Sequence, residues 1–279
     1  MPVASRPLRP ASVTWRPRSA PPAFPTGAYP PAVVACLAGA WEHLRREERG
    51  SVVGATMVAT DLARLGAPPE ILGEVARIIE DEIRHVAVCT HVLEALGVAA
   101  SDERLPGGAE PPPSLERASG EGGSESGDIE ARCANRLLAG FAVGEPMSAA
   151  CFAAARRRAR EPLLLWALTE LLRDEARHGP IAVRAGAWVV RSWSRARREA
   201  LWPACVAQME RFERDAGGPI QEPPAGQDIP ASDDDPVLEA LGLLGAAASC
   251  AAALDGVRRL VLPPLAALGI TPASATSVG

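Results

Sequence analysis

The chain has 279 residues, 47% of them hydrophobic, which is enough for one sizeable core or one core with appendages. All 29 basic residues are arginine, so no lysine Schiff base can form and pyridoxal chemistry is excluded. A net charge of −5 gives no bulk attraction to nucleic acid or an anionic membrane, and six cysteines without a C-x-x-C pair supply neither a disulfide scaffold nor a zinc-ribbon or rubredoxin-type appendage.

Residues 1–30 carry Arg6, Arg9, Arg16 and Arg18, no acidic residue and no continuous apolar run. They are expected to form a disordered Pro/Arg-rich tail on a cytoplasmic protein, because a secretory signal needs an apolar centre. Pro30 and Pro31 open a helical pattern that closes at Gly66 in the turn GAPPE. A second helix, about 69–97, carries Ile71, Val75, Ile78, Ile79, Val86, Val92 and Leu93. Residues 98–127 are rich in Gly, Pro, Ser and Glu and read as a flexible crossover without core residues.

Helical pattern resumes near Asp128 and continues to the arginine-rich stretch 156–160, and a fourth helix starts at Pro162. A fifth is expected over 196–215, which closes a bundle domain spanning 31–215. Residues 216–235 are a Pro-rich, acidic linker. The apolar stretch 236–269, interrupted by Pro263 and Pro264, contains Glu239 and Asp255, which favour packing on the bundle over spanning a membrane. No strand alternation occurs, so the fold class is all-α. The arginine runs 155–160 and 191–199 read as helix termini rather than phosphate-binding patches.

The pentapeptide D-E-x-R-H occurs twice, as DEIRH at 81–85 and DEARH at 174–178. Such a repeat is an internal duplication, and its place in each helical hairpin has a physical consequence. The first turn is centred near Leu65, which puts Glu48 and Glu82 equally far from it. In an antiparallel helix pair they therefore lie at one height, about 25 Å from the turn at 1.5 Å per residue. The second turn is centred near Arg160 and does the same for Glu145 and Glu175. Glu48 and Glu145 also share the pattern E-x-x-S, which distinguishes Glu48 from its neighbour Glu47.

Residues i and i+3 share a helix face, so Glu82 with His85, and Glu175 with His178, each present two donors together. Glu from two helices and Glu-x-x-His from two others is the donor set of a di-iron or di-manganese site in a four-helix bundle. Pro146 directly follows Glu145 and implies either a kink or a new helix start there. Pro180 predicts a bend in the fourth helix. His91 and His43 point away from the motif faces, and Trp41, Trp166 and Trp188 are expected in the core.

At residues 31–194 the sequence resembles the ferritin-like superfamily of di-iron carboxylate proteins, in the form of the oxygen-activating branch that includes bacterial multicomponent monooxygenases. The resemblance implies a four-helix bundle with a long second-to-third helix crossover, here carrying additional C-terminal helices. It implies Glu48, Glu82, His85, Glu145, Glu175 and His178 as metal ligands. Asp81 and Asp174 would accept hydrogen bonds from ligating imidazoles, and Arg84 and Arg177 would neutralise the buried acidity. The cofactor implied is two iron ions, with two manganese ions or a mixed Mn/Fe pair as alternatives.

The activity expected is O2-dependent oxidation or oxygenation of a small molecule, with an electron donor as a further partner. Ferroxidase activity with iron storage or delivery, and di-manganese catalase activity, are the alternatives. The only tyrosine, Tyr29, lies in the N-terminal segment, which disfavours a tyrosyl-radical enzyme. Leu171 stands where the N-oxygenase branch carries a third histidine. The C-terminal segments are expected to wall a substrate pocket or cover a homodimer face.

Overall fold

The computed structural model of the chain describes residues 18–98, 128–217 and 235–272. Residues 1–17 of the expected tail, 99–127 of the expected crossover and 218–234 of the expected linker lie outside them. The described chain is an all-α bundle, with no strand among the described residues.

Helix α1 (Pro31–Arg64) begins with proline in its first turn, where a missing N–H leaves no bond unmade. It ends at Gly66, whose φ of +72° lets the N–H groups of Gly66 and Ala67 donate back to Ala63 and Leu62 at 3.1 and 2.9 Å. Pro69 starts α2 (Pro69–Ala95). Helix α3 (Ile129–Arg158) is capped by Asp128, and α4 (Pro162–Val189) by Glu161, whose carboxylate accepts from the Leu164 N–H at 2.9 Å. Helix α1 packs along α2 and α3 along α4, and the two hairpins meet chiefly through α2 and α4.

Helix α3 continues through Pro146 rather than restarting there. The proline removes the donor that the Ala142 carbonyl would otherwise receive. One turn earlier, residues Asn135–Phe141 form a wide π-helical turn, closed by the Ala142 N–H on the Leu137 carbonyl. One extra residue per turn rotates the faces before and after it by about 100° relative to one another. Helix α3 is long and apolar enough to cross a membrane, but Leu137, Leu138, Ala142, Val143 and Met147 are buried within the bundle. Helix α4 likewise runs through Pro180.

Three expectations are corrected. Residues 18–30 are not a disordered tail: Phe24 is buried, stacks on Tyr29 at 5.4 Å between ring centres, and joins the core with Leu37, Val92 and Leu163. Two aromatic rings supply the apolar surface that the Pro/Arg composition conceals. The fifth helix is two, α5 (Arg195–Glu199) and α6 (Trp202–Gly217), since Pro203 can sit in a first turn but not inside a continuing helix. The C-terminal segment breaks between α7 (Pro236–Ala240) and α8 (Ala246–Gly256), not at Pro263–Pro264. A second π-helical turn, Val257–Val261, carries α8 into α9 (Leu262–Ala267), whose first turn holds both prolines. Helix α8 packs on α3 and α6.

The apolar core is divided. One cluster holds Val58, Leu62, Val75, Ile78, Leu138 and Ile181, and a second holds Leu37, Trp41, Val88, Leu93, Leu164 and Leu171. On each of α1, α2 and α4 a polar layer falls between them. Within the first half, Arg136 of the π-helical turn donates to Asp61 of α1 at 2.5 Å, both buried. Replacing Asp61 with Ala leaves a buried guanidinium without this carboxylate, and urea unfolding is expected to show a loss of about 3–5 kcal/mol. The double variant Asp61→Ala/Arg136→Leu recovers most of that loss.

Candidate metal centre

The polar layer contains all six residues that the sequence brings level. Glu48 comes from α1, Glu82 and His85 from α2, Glu145 from α3, and Glu175 and His178 from α4. Their donor atoms form two overlapping sets, within each of which all atoms lie inside 4.8 Å of one another. One is Glu48, Glu82, His85 and Glu175, and the other is Glu82, Glu145, Glu175 and His178. Glu82 and Glu175 belong to both. Five of the six side chains are buried, and Glu145, 12% exposed, is the one that solvent reaches.

Both imidazoles turn Nδ1 toward the carboxylates. The His85 Nδ1 lies 3.2 Å from Glu48, 3.5 Å from Glu82 and 3.4 Å from Glu175. The His178 Nδ1 lies 3.2 Å from Glu145, 3.1 Å from Glu82 and 3.7 Å from Glu175. The ring centres are 5.7 Å apart. Each Nε2 faces the aspartate of the other motif: His178 meets Asp81 at 3.2 Å, and His85 faces Asp174 at 3.7 Å, beyond hydrogen-bonding distance.

The buried acidity that Arg84 and Arg177 meet is that of the aspartates, not of the glutamates. Arg84 Nη1 donates to Asp81 at 2.7 Å and to Asp174 at 2.8 Å, while Arg177 donates twice to Asp81 and once to Asp174. Early positions of one motif pair with late positions of the other, so α2 and α4 run antiparallel and the lattice is cross-linked between hairpins. The duplicated pentapeptide thus provides two concentric layers, glutamates and imidazoles inside, aspartates and arginines outside.

Without cations, protons on carboxyls and imidazoles offset the charge of the inner layer. Burial pushes the Glu48 carboxyl up to about 8, although the neighbouring His85 opposes it. Glu175 is raised well above the usual range by burial and by the closeness of Glu145. For Glu82, burial acts upward but contact with His178 and His85 outweighs it, and the carboxyl is held low. Both imidazoles stay protonated well above their ordinary range: burial acts against this, but Glu48 and Asp174 overcome it at His85, and Asp81, Glu145 and Glu82 at His178. Outside, burial would raise Asp81, but His178, Arg177 and Arg84 bring it down to about 2.

A divalent cation pair fits this donor set. Both oxygens of Glu82 and Oε2 of Glu175 are buried without a hydrogen bond among the described residues, which is costly unless another group meets them. Four carboxylates carry four negative charges, which two divalent ions offset. Carboxylate with imidazole suits iron, manganese or zinc. These buried Glu and His groups could hold a metal ion. No protein-family model, curated protein or solved structure matches the chain.

Other sequence readings fall where the side chains place them. Glu47 and His43 are exposed, and His91 meets the Trp166 ring edge-on at 6.0 Å. Trp41 is buried, while Trp166 and Trp188 are partly buried; Leu171 is fully buried among apolar neighbours. Three features escaped the sequence reading: the buried Arg45 paired with Glu42 at 2.7 Å, the buried Glu170, and Arg18, which donates to Asp174 at 2.6 Å. The first two had a signal, the i,i+3 spacings Glu42–Arg45 and Glu170–Arg173, the latter pair meeting at 3.3 Å.

Two outcomes follow from this geometry. Gly179 adjoins His178, and a Cβ there would lie 2.8 Å from Cγ of Pro146, the neighbour of Glu145. Gly179→Ala is expected to push α3 outward and weaken cation binding about tenfold, measured by calorimetric titration with Mn(II). Because bound cations must displace protons from His85, His178 and Glu48, affinity should rise as pH rises from 6 to 8. Titrations in buffers of different ionisation heat should record net proton release, and a pH-independent affinity would refute this account.

Proposed function

We propose that the protein is a di-iron carboxylate oxidase or oxygenase that uses O2 and an electron donor to oxidise a small organic molecule. The reading is supported by one observation above all: Glu82 and Glu175 belong to both donor sets. Glu48 and His85 would then serve one cation and Glu145 and His178 the other, with Glu82 and Glu175 available to both. Iron is what the ferritin-like resemblance implies, and the same donors suit manganese. When bound, an iron pair supplies electrons that reduce O2 for the oxidation of substrate.

The protein's own groups prepare the site. Asp81 accepts from Nε2 of His178, which keeps a proton there and leaves Nδ1 free to bind. Apolar residues on both sides, Trp41, Val88 and Leu171 on one and Val58, Ile78 and Met147 on the other, exclude bulk water. Glu145 is the exposed edge, and Gln208 of α6 lies against the adjacent Gly144. Small molecules would approach from that side, between α3 and α6.

Anaerobic loading with Fe(II), followed by exposure to O2, tests the assignment. The expected result is two irons per chain by elemental analysis and rapid oxidation to a discrete bridged chromophore that persists without further iron uptake. Iron accumulating far beyond two per chain would replace the enzyme reading with storage. Rapid H2O2 breakdown by the manganese-loaded protein only would replace it with catalase. Glu175→Gln should lower loading of both ions, whereas Glu48→Gln should spare about one.

A further inference from the structure

The outer layer is not as symmetric as the repeat that writes it. Asp81 receives two N–H groups of Arg177 and one of Arg84, and also lies at hydrogen-bonding distance from Nε2 of His178. Asp174 receives only one from each of those arginines, and a third comes from outside the motif, from Arg18 Nη2 to Oδ1 at 2.6 Å. Arg18 lies in a segment tied to α4 at further points. Its backbone N–H donates to Glu170 at 3.4 Å, and Trp166 donates to Ser19 at 2.8 Å. Phe24 anchors the same segment in the core.

The consequence is visible one bond further in. With Oδ1 shared between Arg18 and Arg177 and Oδ2 held by Arg84, the Asp174 carboxylate stops 3.7 Å short of His85. The buried Nε2 of His85 has no hydrogen-bond partner among the described residues, unlike its counterpart on His178. An imidazole whose far nitrogen donates to a carboxylate is the more basic and better oriented metal ligand.

We infer that Arg18 is a positioning residue that makes the two cation positions unequal, so that the His178–Glu145 position fills first and the His85–Glu48 position second. This rests on the two-cation reading of the site. Arg18 acts through Asp174 and touches no ligand; its side chain, 32% exposed, is reachable from solvent. A segment outside the bundle's four helices thereby sets the order in which the site fills.

Titration of the metal-free full-length protein with Co(II), followed by calorimetry and visible absorption, tests this. The wild type should show two steps separated by about tenfold or more in affinity. Glu145→Gln should remove the tight step and Glu48→Gln the weak one. Arg18→Gln should tighten the weak step and bring the two within about threefold, whereas Arg18→Lys should keep them apart. Trp166→Phe, which unties Ser19 without touching Asp174, should move the separation in the same direction by less, and thermal melts should confirm that each variant is folded. Two equal steps in the wild type, or an unchanged separation in Arg18→Gln, would overturn the role of Arg18 while leaving the two-cation site standing. No bound Co(II) in the wild type would overturn both.

Discussion

Four glutamate side chains held at one level inside a helical bundle repel one another, and most of the architecture answers that repulsion. Two imidazoles enter between them with Nδ1 inward, and a second ring of two aspartates and three arginines surrounds the imidazoles. Desolvation makes each buried carboxylate expensive, so the arrangement is stable only with protons or cations inside it. The inner ring has carboxylate oxygens without a hydrogen bond among the described residues, whereas the aspartates of the outer ring are met by arginines. A metal centre differs from a structural ion-pair network in that respect.

The rest of the bundle accommodates this layer. The apolar core splits into two large clusters, one on each side of the polar layer, and a small third around Ala155, Ala159 and Leu168, so that none must bury the charged groups in its midst. Like α1, helix α3 carries a site glutamate with no site histidine on the same helix, and α3 is irregular around it. A π-helical turn and Pro146 lie on either side of Ala142–Glu145, and Gly179 makes room for the proline ring on α4. Departures from regular helix are concentrated where a side chain must be aimed, which is where their cost is offset by the site.

The three arginines of the outer ring do unlike jobs. Arg84 and Arg177 join the two hairpins by reaching both aspartates, while Arg18 brings in a segment that is not part of either hairpin. A duplicated motif would by itself yield two equivalent halves. The added guanidinium is what breaks the equivalence, and it does so at Asp174, one hydrogen bond away from the donor atoms.

Much of the site was legible because helical geometry is periodic. The i,i+3 pairs Glu82–His85 and Glu175–His178 share a face in any α-helix, and counting back from a tight turn finds the level glutamate. That count succeeded for Glu145 because residues 142–158 are regular helix between it and the turn; counted from the other end of α3, the π-helical turn would have thrown it off. The sequence by itself therefore determined the four bundle helices, the hairpin registers and which six residues come level, all consequences of local spacing. Only the tertiary structure decided that Asp81 serves the histidine of the other motif, that each arginine also reaches the aspartate of the other motif, that Asp61 meets Arg136, and that Arg18 and Phe24 belong to the folded body. Those contacts join residues some 75 to 156 positions apart, where side-chain reach and helix packing, not periodicity, select the partner.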